Sequence, residues 1–302
     1  MSFPIVKCAT EGFRVAGKNP GALVVWALYY LLTIAVFVGI LFAFAGPAIM
    51  DMARNPTGMA QSDPAAMMAL MGKLGLGYLL GIVVMLFMVA ALLGAIFRAV
   101  LMPQDGGFAY LKFGGREVKL ALSSVLIGLI MLVVFMVLGG VIGVIAVATL
   151  HGSGNVAAMM GPMMLMRLVI YAAALLLWTG FSMSYPAAFM QNGVRVFQGW
   201  KVAGKNFWSL LLCYLLVIVI CVAMFVALIV VLGVMFAAVG VAGGMSGMSA
   251  GGLPALGPGI IIVGIVSLVL YMLVGVLCAV LIYAAQAAAY RELTGTDQLK
   301  AF

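Results

Sequence analysis

Residues 207–239 read FWSLLLCYLLVIVICVAMFVALIVVLGVMFAAV, with no Asp, Glu, Lys, Arg, His or Pro among them. A helix crossing the hydrocarbon core of a bilayer needs about 20 mostly apolar residues. This run exceeds that length, and its polar side chains are confined to Trp208, Ser209, Tyr214 and two cysteines. Working outward, five more apolar runs lie near 21–46, 74–102, 117–150, 162–190 and 259–290. They are continuous rather than alternating, which excludes a transmembrane β-barrel. Across the 302 residues 67% are hydrophobic and only 7% charged, against roughly 25% charged in a soluble domain. That composition excludes a soluble enzyme, a disordered chain and a secreted disulfide scaffold. The expectation is an all-α polytopic membrane protein with six transmembrane helices, forming a single integral membrane domain over 1–302. Several runs are long enough for the helices to tilt or project past the bilayer.

The charges set an orientation. Twelve cations fall on the side of the N-terminus, the even-to-odd connections and the C-terminus: Lys7, Arg14, Lys18, Arg98, Lys112, Arg116, Lys119, Arg195, Lys201, Lys205, Arg291 and Lys300. Only Arg54, Lys73 and Arg167 fall on the other side. The positive-inside rule then places both termini in the cytoplasm. Residues 1–20 carry charges throughout, and the apolar run after them is too long for a signal-peptide core, so the first span is expected to stay in the protein as its insertion signal.

Residues 11–19 read EGFRVAGKN and residues 198–206 read QGWKVAGKN, sharing VAGKN. A third, weaker copy is Leu111-Lys112-Phe113-Gly114-Gly115-Arg116-Glu117. Each copy leads into an odd-numbered span. Spans 2 and 6 end in Phe97-Arg98 and Tyr290-Arg291, whereas span 4 ends in Phe189-Met190. The chain therefore divides into three repeat units, about 1–102, 103–190 and 191–302. Each is expected to hold a short cytoplasmic helix, a span out and a span back. The units share one topology, unlike the inverted repeats of many secondary transporters.

Within the first copy, Lys7, Glu11, Arg14 and Lys18 recur at helical spacing on one face, with Ile5, Ala9 and Phe13 on another. Arg195, Gln198, Lys201 and Lys205 repeat the pattern, as do Lys112, Arg116 and Lys119. Each copy reads as a short amphipathic helix able to lie among lipid headgroups with its basic edge toward anionic lipid. Gly17, Gly115 and Gly204 permit a bend into the membrane, and Asn19 and Asn206 suit a helix N-cap. Two uses fit these helices: topological anchors, or a docking surface for anionic lipid or a protein partner. The second makes Arg14, Lys18, Lys112, Arg116, Lys201 and Lys205 the candidate lipid- or partner-binding residues. Nucleic acid is not expected, because the net charge of +8 is spread over several connections.

The middle of each span lacks Asp, Glu, Lys and His, which weighs against ion- or proton-coupled transport. Arg98, Lys119 and Arg167 lie near span ends, where they could snorkel. Span 4 is the most polar, with Trp178, Thr179, Ser182, Ser184 and Tyr185 before Pro186, which should kink or end its regular helix. With Tyr283 and Gln286 of span 6 these residues either pack the core or line a polar pocket. Gly77/Gly81 and Gly139/Gly143 allow close helix approach, within the chain or between copies of it. Cys8, Cys213, Cys221 and Cys278 form no CxxC pair and read as packing residues.

The sequence is methionine-rich, with 24 in all. Many flank the external connections: Met50, Met52, Met59, Met67, Met68 and Met71 in the first, Met159, Met160, Met163, Met164 and Met166 in the second, and Met245 and Met248 in the third. They suit either adaptable apolar packing or soft-metal handling. His151 lies near the second group, and Asp63 could cap a helix beginning at Pro64. The connection from Gly240 to Pro258 is Gly/Ser/Ala-rich and reads as flexible. No GxSxG, P-loop, HExxH or paired carboxylate is present, so neither enzymatic activity nor a cofactor is expected.

Tyr185-Pro186-Ala187-Ala188-Phe189, followed by QGWKVAGKN and a long apolar span, resembles a pattern in bacterial six-span integral membrane proteins. These include poorly characterised inner-membrane families and the membrane domain attached to some glycerophosphodiester phosphodiesterases. The resemblance covers most of the chain and implies six spans and an inner-membrane location. The 302 residues contain no attached catalytic domain, so it implies no phosphodiesterase activity. The expected role is a non-enzymatic scaffold, accessory subunit or lipid-organising component, with membrane lipids and a membrane-protein partner or second copy as its partners. A transporter or channel for a neutral, lipidic or soft-metal substrate is the alternative.

Overall fold

Six of the apolar runs become six long helices. In lipid the backbone has no water to bond, so a spanning segment must satisfy its own amides internally. A computed structural model describes residues 3–54, 64–153, 156–194, 196–242 and 258–295. In chain order the helices are α1 (Ile5–Lys18), α2 (Pro20–Arg54), α3 (Pro64–Leu101), α4 (Gly115–Ser153), α5 (Val156–Ser182), α6 (Ser184–Met190), α7 (Val196–Gly204), α8 (Phe207–Ala242) and α9 (Pro258–Thr294). A single 3-10 turn, Phe108–Tyr110, precedes α4. Among the described residues there is no strand. The segments apolar enough to cross a membrane are Pro20–Pro47, Met71–Leu101, Phe108–Val144, Met164–Met190, Phe207–Ala238 and Ile261–Thr294, close to the six expected runs. This is an all-α, multi-pass membrane protein. Asp63, Met59, Met245, Met248, Arg195 and most of the Gly240–Pro258 connection lie outside the described residues, as do the side chains of Met52, Met159, Met160, Met163 and His151.

Large apolar side chains face outward along every span, among them Leu28, Leu79, Val133, Leu165, Val219 and Ile262. Their surroundings in a membrane are acyl chains, so this exposure carries no hydrophobic cost there. The buried core sits instead at the end of the bundle that gathers α1, α6, α7 and the last turns of α3 and α9. There Trp26, Ile96, Phe97, Leu120, Phe189, Leu210, Tyr214 and Leu281 are fully buried. We call this the basic end. Toward the opposite end the helices pack as hairpins. Phe37 meets Tyr78 edge-on at 5.9 Å between ring centroids, and Phe225 meets Tyr271 at 5.8 Å. Gly81 and Gly77 of α3 face Phe37 and Phe44 of α2, which puts that small-residue pair to use within the chain, while Gly139 and Gly143 face open space.

Span 4 breaks where proline requires it. Pro186 has no N–H to offer the carbonyl of Ser182, and α5 ends at Ser182 before α6 resumes at Ser184. The break lets the Ser184 hydroxyl leave its own helix and donate to the carbonyl of Val196 at the start of α7.

Two of the three lead-in helices form. The buried faces of α1 (Cys8, Ala9, Glu11, Gly12, Val15) and α7 (Val196, Gly199, Ala203) recur at helical spacing. In these two copies the first glycine makes the contact. A Cβ at Gly12 would lie 2.6 Å from Leu281 Cα of α9, and one at Gly199 would lie 2.2 Å from the backbone nitrogen of Ser184. The third expected helix is absent. Leu111, Lys112 and Phe113 are non-helical, and α4 starts directly at Gly115, so Arg116 and Lys119 ride on the first turns of the span itself. Pro103 and the glycines at 106, 107, 114 and 115 leave too little helix-forming sequence between them. Gly17 is not the bend before α2 either. It lies inside α1, and Asn19, with φ −132° and ψ 62°, makes the turn.

Candidate functional site at the basic end

The basic end brings together charges that are far apart in sequence. Glu11 is 3% exposed and turns inward from α1, contrary to its expected place on the basic outer face. Two residues stabilise it there. Arg14 donates to Glu11 through Nε (2.8 Å to Oε2) and through Nη2 to Oε1. Arg291, from the last turn of α9, places Nη2 3.4 Å from Oε1 and donates through Nη1 to the Val100 carbonyl of α3 at 3.3 Å. Burial alone would raise the Glu11 pKa. The hydrogen bonds and charges of Arg14 and Arg291 outweigh it and hold the carboxyl below its ordinary value.

A second acid–base pair lies at the junction of α3 and α4. Arg98 and Glu117 form a salt bridge with side-chain exposures of 4% and 1%, so Arg98 does not snorkel. Arg98 also donates to the Tyr110 carbonyl at 3.0 Å and lies 5.4 Å over the Phe189 ring. Arg116 faces the same ring at 5.8 Å and donates to Met102 Sδ. Trp26 Nε1 donates to the Ala109 carbonyl at 2.8 Å. These donors from α2 and α3 hold Ala109 and Tyr110 at φ 50° and 60°, a left-handed conformation that residues with a Cβ rarely adopt.

Between these pairs is a cavity of about 400 Å³. Arg14 and Lys18 of α1, Asn19 just after it, Arg291 of α9 and Tyr110 are its polar residues, and Val15, Ala99, Val100 and Pro103 form its apolar walls. Among the described residues the Lys18 ammonium has neither an ion pair nor a hydrogen bond. The arrangement can bind an anion with an apolar portion.

Of the sequence candidates, Arg14 and Lys18 line this cavity. Lys112 is paired at the surface with Asp105 (2.8 Å), and Arg116 is engaged by Phe189 and Met102. Lys201 and Lys205 are exposed on and just after α7. The proposed polar-pocket residues of span 4 lie in packed structure. Thr179, Ser182 and Ser184 are fully buried, with hydroxyls on the carbonyls of Leu175, Thr179 and Val196. Tyr214 donates to Ser182 at 2.8 Å, and its ring lies tilted against Trp178 at 4.9 Å between centroids. Tyr185 and Tyr283 pack against the main core, with Tyr283 against Phe97, and Gln286 is buried with neither amide atom bonded among the described residues. Tyr110 has no place in the sequence reading, and Arg291, Glu11 and Glu117 enter it only as repeat or face positions, not as candidate site residues. The scarcity of acids, seven in the chain, was the available signal: a glutamate beside an apolar run needs a cation nearby.

No protein-family model, curated protein or solved structure matches the chain.

Proposed function

We propose that the chain is a non-enzymatic, lipid-organising component of a bacterial inner membrane, with both termini in the cytoplasm and its basic end engaging anionic lipid. The observation that carries this reading is the docking of α1 and α7. Each buries its apolar edge on a span end and leaves cations exposed, Arg14 and Lys18 on one and Lys201 and Lys205 on or beside the other. Cations near a membrane surface each add about 1 kcal/mol of attraction to anionic leaflets. The matching glycine contacts of α1 and α7, at Gly12 and Gly199, also favour a relation between the first and third units. Against a transporter, the hydroxyls of span 4 are bonded within the packed core rather than turned to a polar path. The test is native mass spectrometry of lipids that co-purify in mild detergent. Joint replacement of Arg14, Lys18, Lys201 and Lys205 by Gln is expected to remove most of the retained anionic lipid. Unchanged lipid content in a correctly inserted variant would overturn the reading.

A further inference from the structure

In the cavity between α1, α3 and α9 positive charge is in excess and is gathered around an enclosed space. Three cations line it against one nearby carboxylate, Glu11, which leaves two positive charges uncompensated. By contrast Arg98 is buried and matched by Glu117, and Lys112 is matched by Asp105. Arg291 shares Glu11 with Arg14 and reaches it only at 3.4 Å, and Lys18 has no partner among the described residues. We propose that this cavity binds the phosphate monoester headgroup of a membrane lipid of the phosphatidate type. The proposal rests on the lipid-engaging reading above and names its headgroup.

The charge count selects the monoester. A phosphate monoester carries roughly −1.5 to −2 near neutrality and three acceptor oxygens, whereas a phosphodiester carries one charge. Two guanidiniums, an ammonium, the Asn19 amide and the Tyr110 hydroxyl supply enough donors for three oxygens. The remaining wall is apolar, and the volume, about 400 Å³, is within the range of small-molecule sites, roughly 300–1,000 Å³. Such a lining suits an amphipathic ligand better than bare phosphate. Tyr110 is held in place by the clamp on its backbone, so it requires little ordering when ligand enters.

The pH dependence should come from the ligand. The charged or titratable groups lining the cavity are Arg14 and Lys18 from α1, Arg291 from α9 and Tyr110 from the 3-10 turn, with Glu11 behind them on Arg14 and Arg291. The stretch of α3 lining it is apolar, and no histidine is present. Glu11 stays ionised because its neighbours lower its pKa. Binding should therefore weaken as the second phosphate proton returns near pH 6.

The test uses the purified full-length chain in detergent. It is titrated with dioleoyl phosphatidate, dioleoyl phosphatidylglycerol or dioleoyl phosphatidylcholine, and separately with glycerol 3-phosphate, and read by native mass spectrometry. Phosphatidate is expected to bind about tenfold more tightly than phosphatidylglycerol at about pH 7.5, with that margin shrinking at about pH 5.5. Lys18→Gln and Arg291→Gln should each weaken phosphatidate binding by about three- to tenfold, while Arg167→Gln at the opposite end should not. Because Lys18 has no partner among the described residues, Lys18→Gln should leave the unfolding midpoint unchanged. Equal affinity for the two anionic lipids would overturn the monoester assignment and leave the anionic-lipid reading standing. Equal binding of phosphatidylcholine would overturn both. Glycerol 3-phosphate binding as tightly as phosphatidate would place the ligand in solution and overturn the lipid assignment.

Discussion

Removing either partner of the Arg98–Glu117 pair strands a buried charge. Arg98→Met or Glu117→Leu alone should cost about 3–5 kcal/mol, whereas the double variant should recover most of that loss, because two buried charges then disappear together. Thermal unfolding in detergent would show two strongly lowered midpoints and one near wild type; equal damage in all three variants would contradict the pairing. Gln286 is an opposite case, a buried amide with both polar atoms unbonded among the described residues. Gln286→Met keeps the volume and removes that desolvation cost, so it should raise the midpoint by an amount equivalent to about 1–3 kcal/mol. Neither residue declares its role in the sequence. Arg98 and Glu117 are separated by 19 positions on different helices, and periodicity assigns a residue to a face without saying what packs there. Glu11 shows the same limit: its spacing matches Lys7, Arg14 and Lys18, yet it is the member turned inward.

At the scale of an element, α1 is held by a close glycine contact and by the Glu11 network. Gly12→Val should force α1 off α9, because the obstacle is the Leu281 backbone rather than a flexible side chain, at a cost of about 1–3 kcal/mol. Cys8 reports the event. It is 1% exposed, and burial, reinforced by Glu292, pushes its thiol up to about 11. It should therefore resist maleimide in the native protein and react readily in Gly12→Val. Glu11 adds a pH dependence. Its folded pKa lies below the ordinary value, so its contribution is fully present above about pH 4.3 and is lost as pH falls through the lowered folded value. Hydrogen exchange of α1 amides, corrected for intrinsic rates, should accelerate over that acid range and not between neutrality and about pH 5. The repeat was legible here as VAGKN, but its contact glycines were not, since Gly12 and Gly199 look like any of 38 glycines until the helices are packed. The missing third helix had a visible cause in Pro103 and the surrounding glycines.

For the whole molecule, six spans were legible because each is an uninterrupted apolar run, and the membrane imposes helix on such runs. The cavity was not, because it joins Arg14 to Arg291 across nearly the full chain. Function at this scale depends on which way the basic end faces. All four cysteines are buried, so the native chain is a quiet background for single added thiols. Gln104→Cys places one on the exposed connection after α3, and Ser62→Cys places one in the connection between α2 and α3. Both would be probed with a membrane-impermeant maleimide in cells whose outer membrane alone is permeable. The account predicts labelling of Ser62→Cys in intact inner-membrane cells and of Gln104→Cys only after the inner membrane is opened. Labelling of Gln104→Cys before opening would put the basic end outside the cytoplasm and contradict the account.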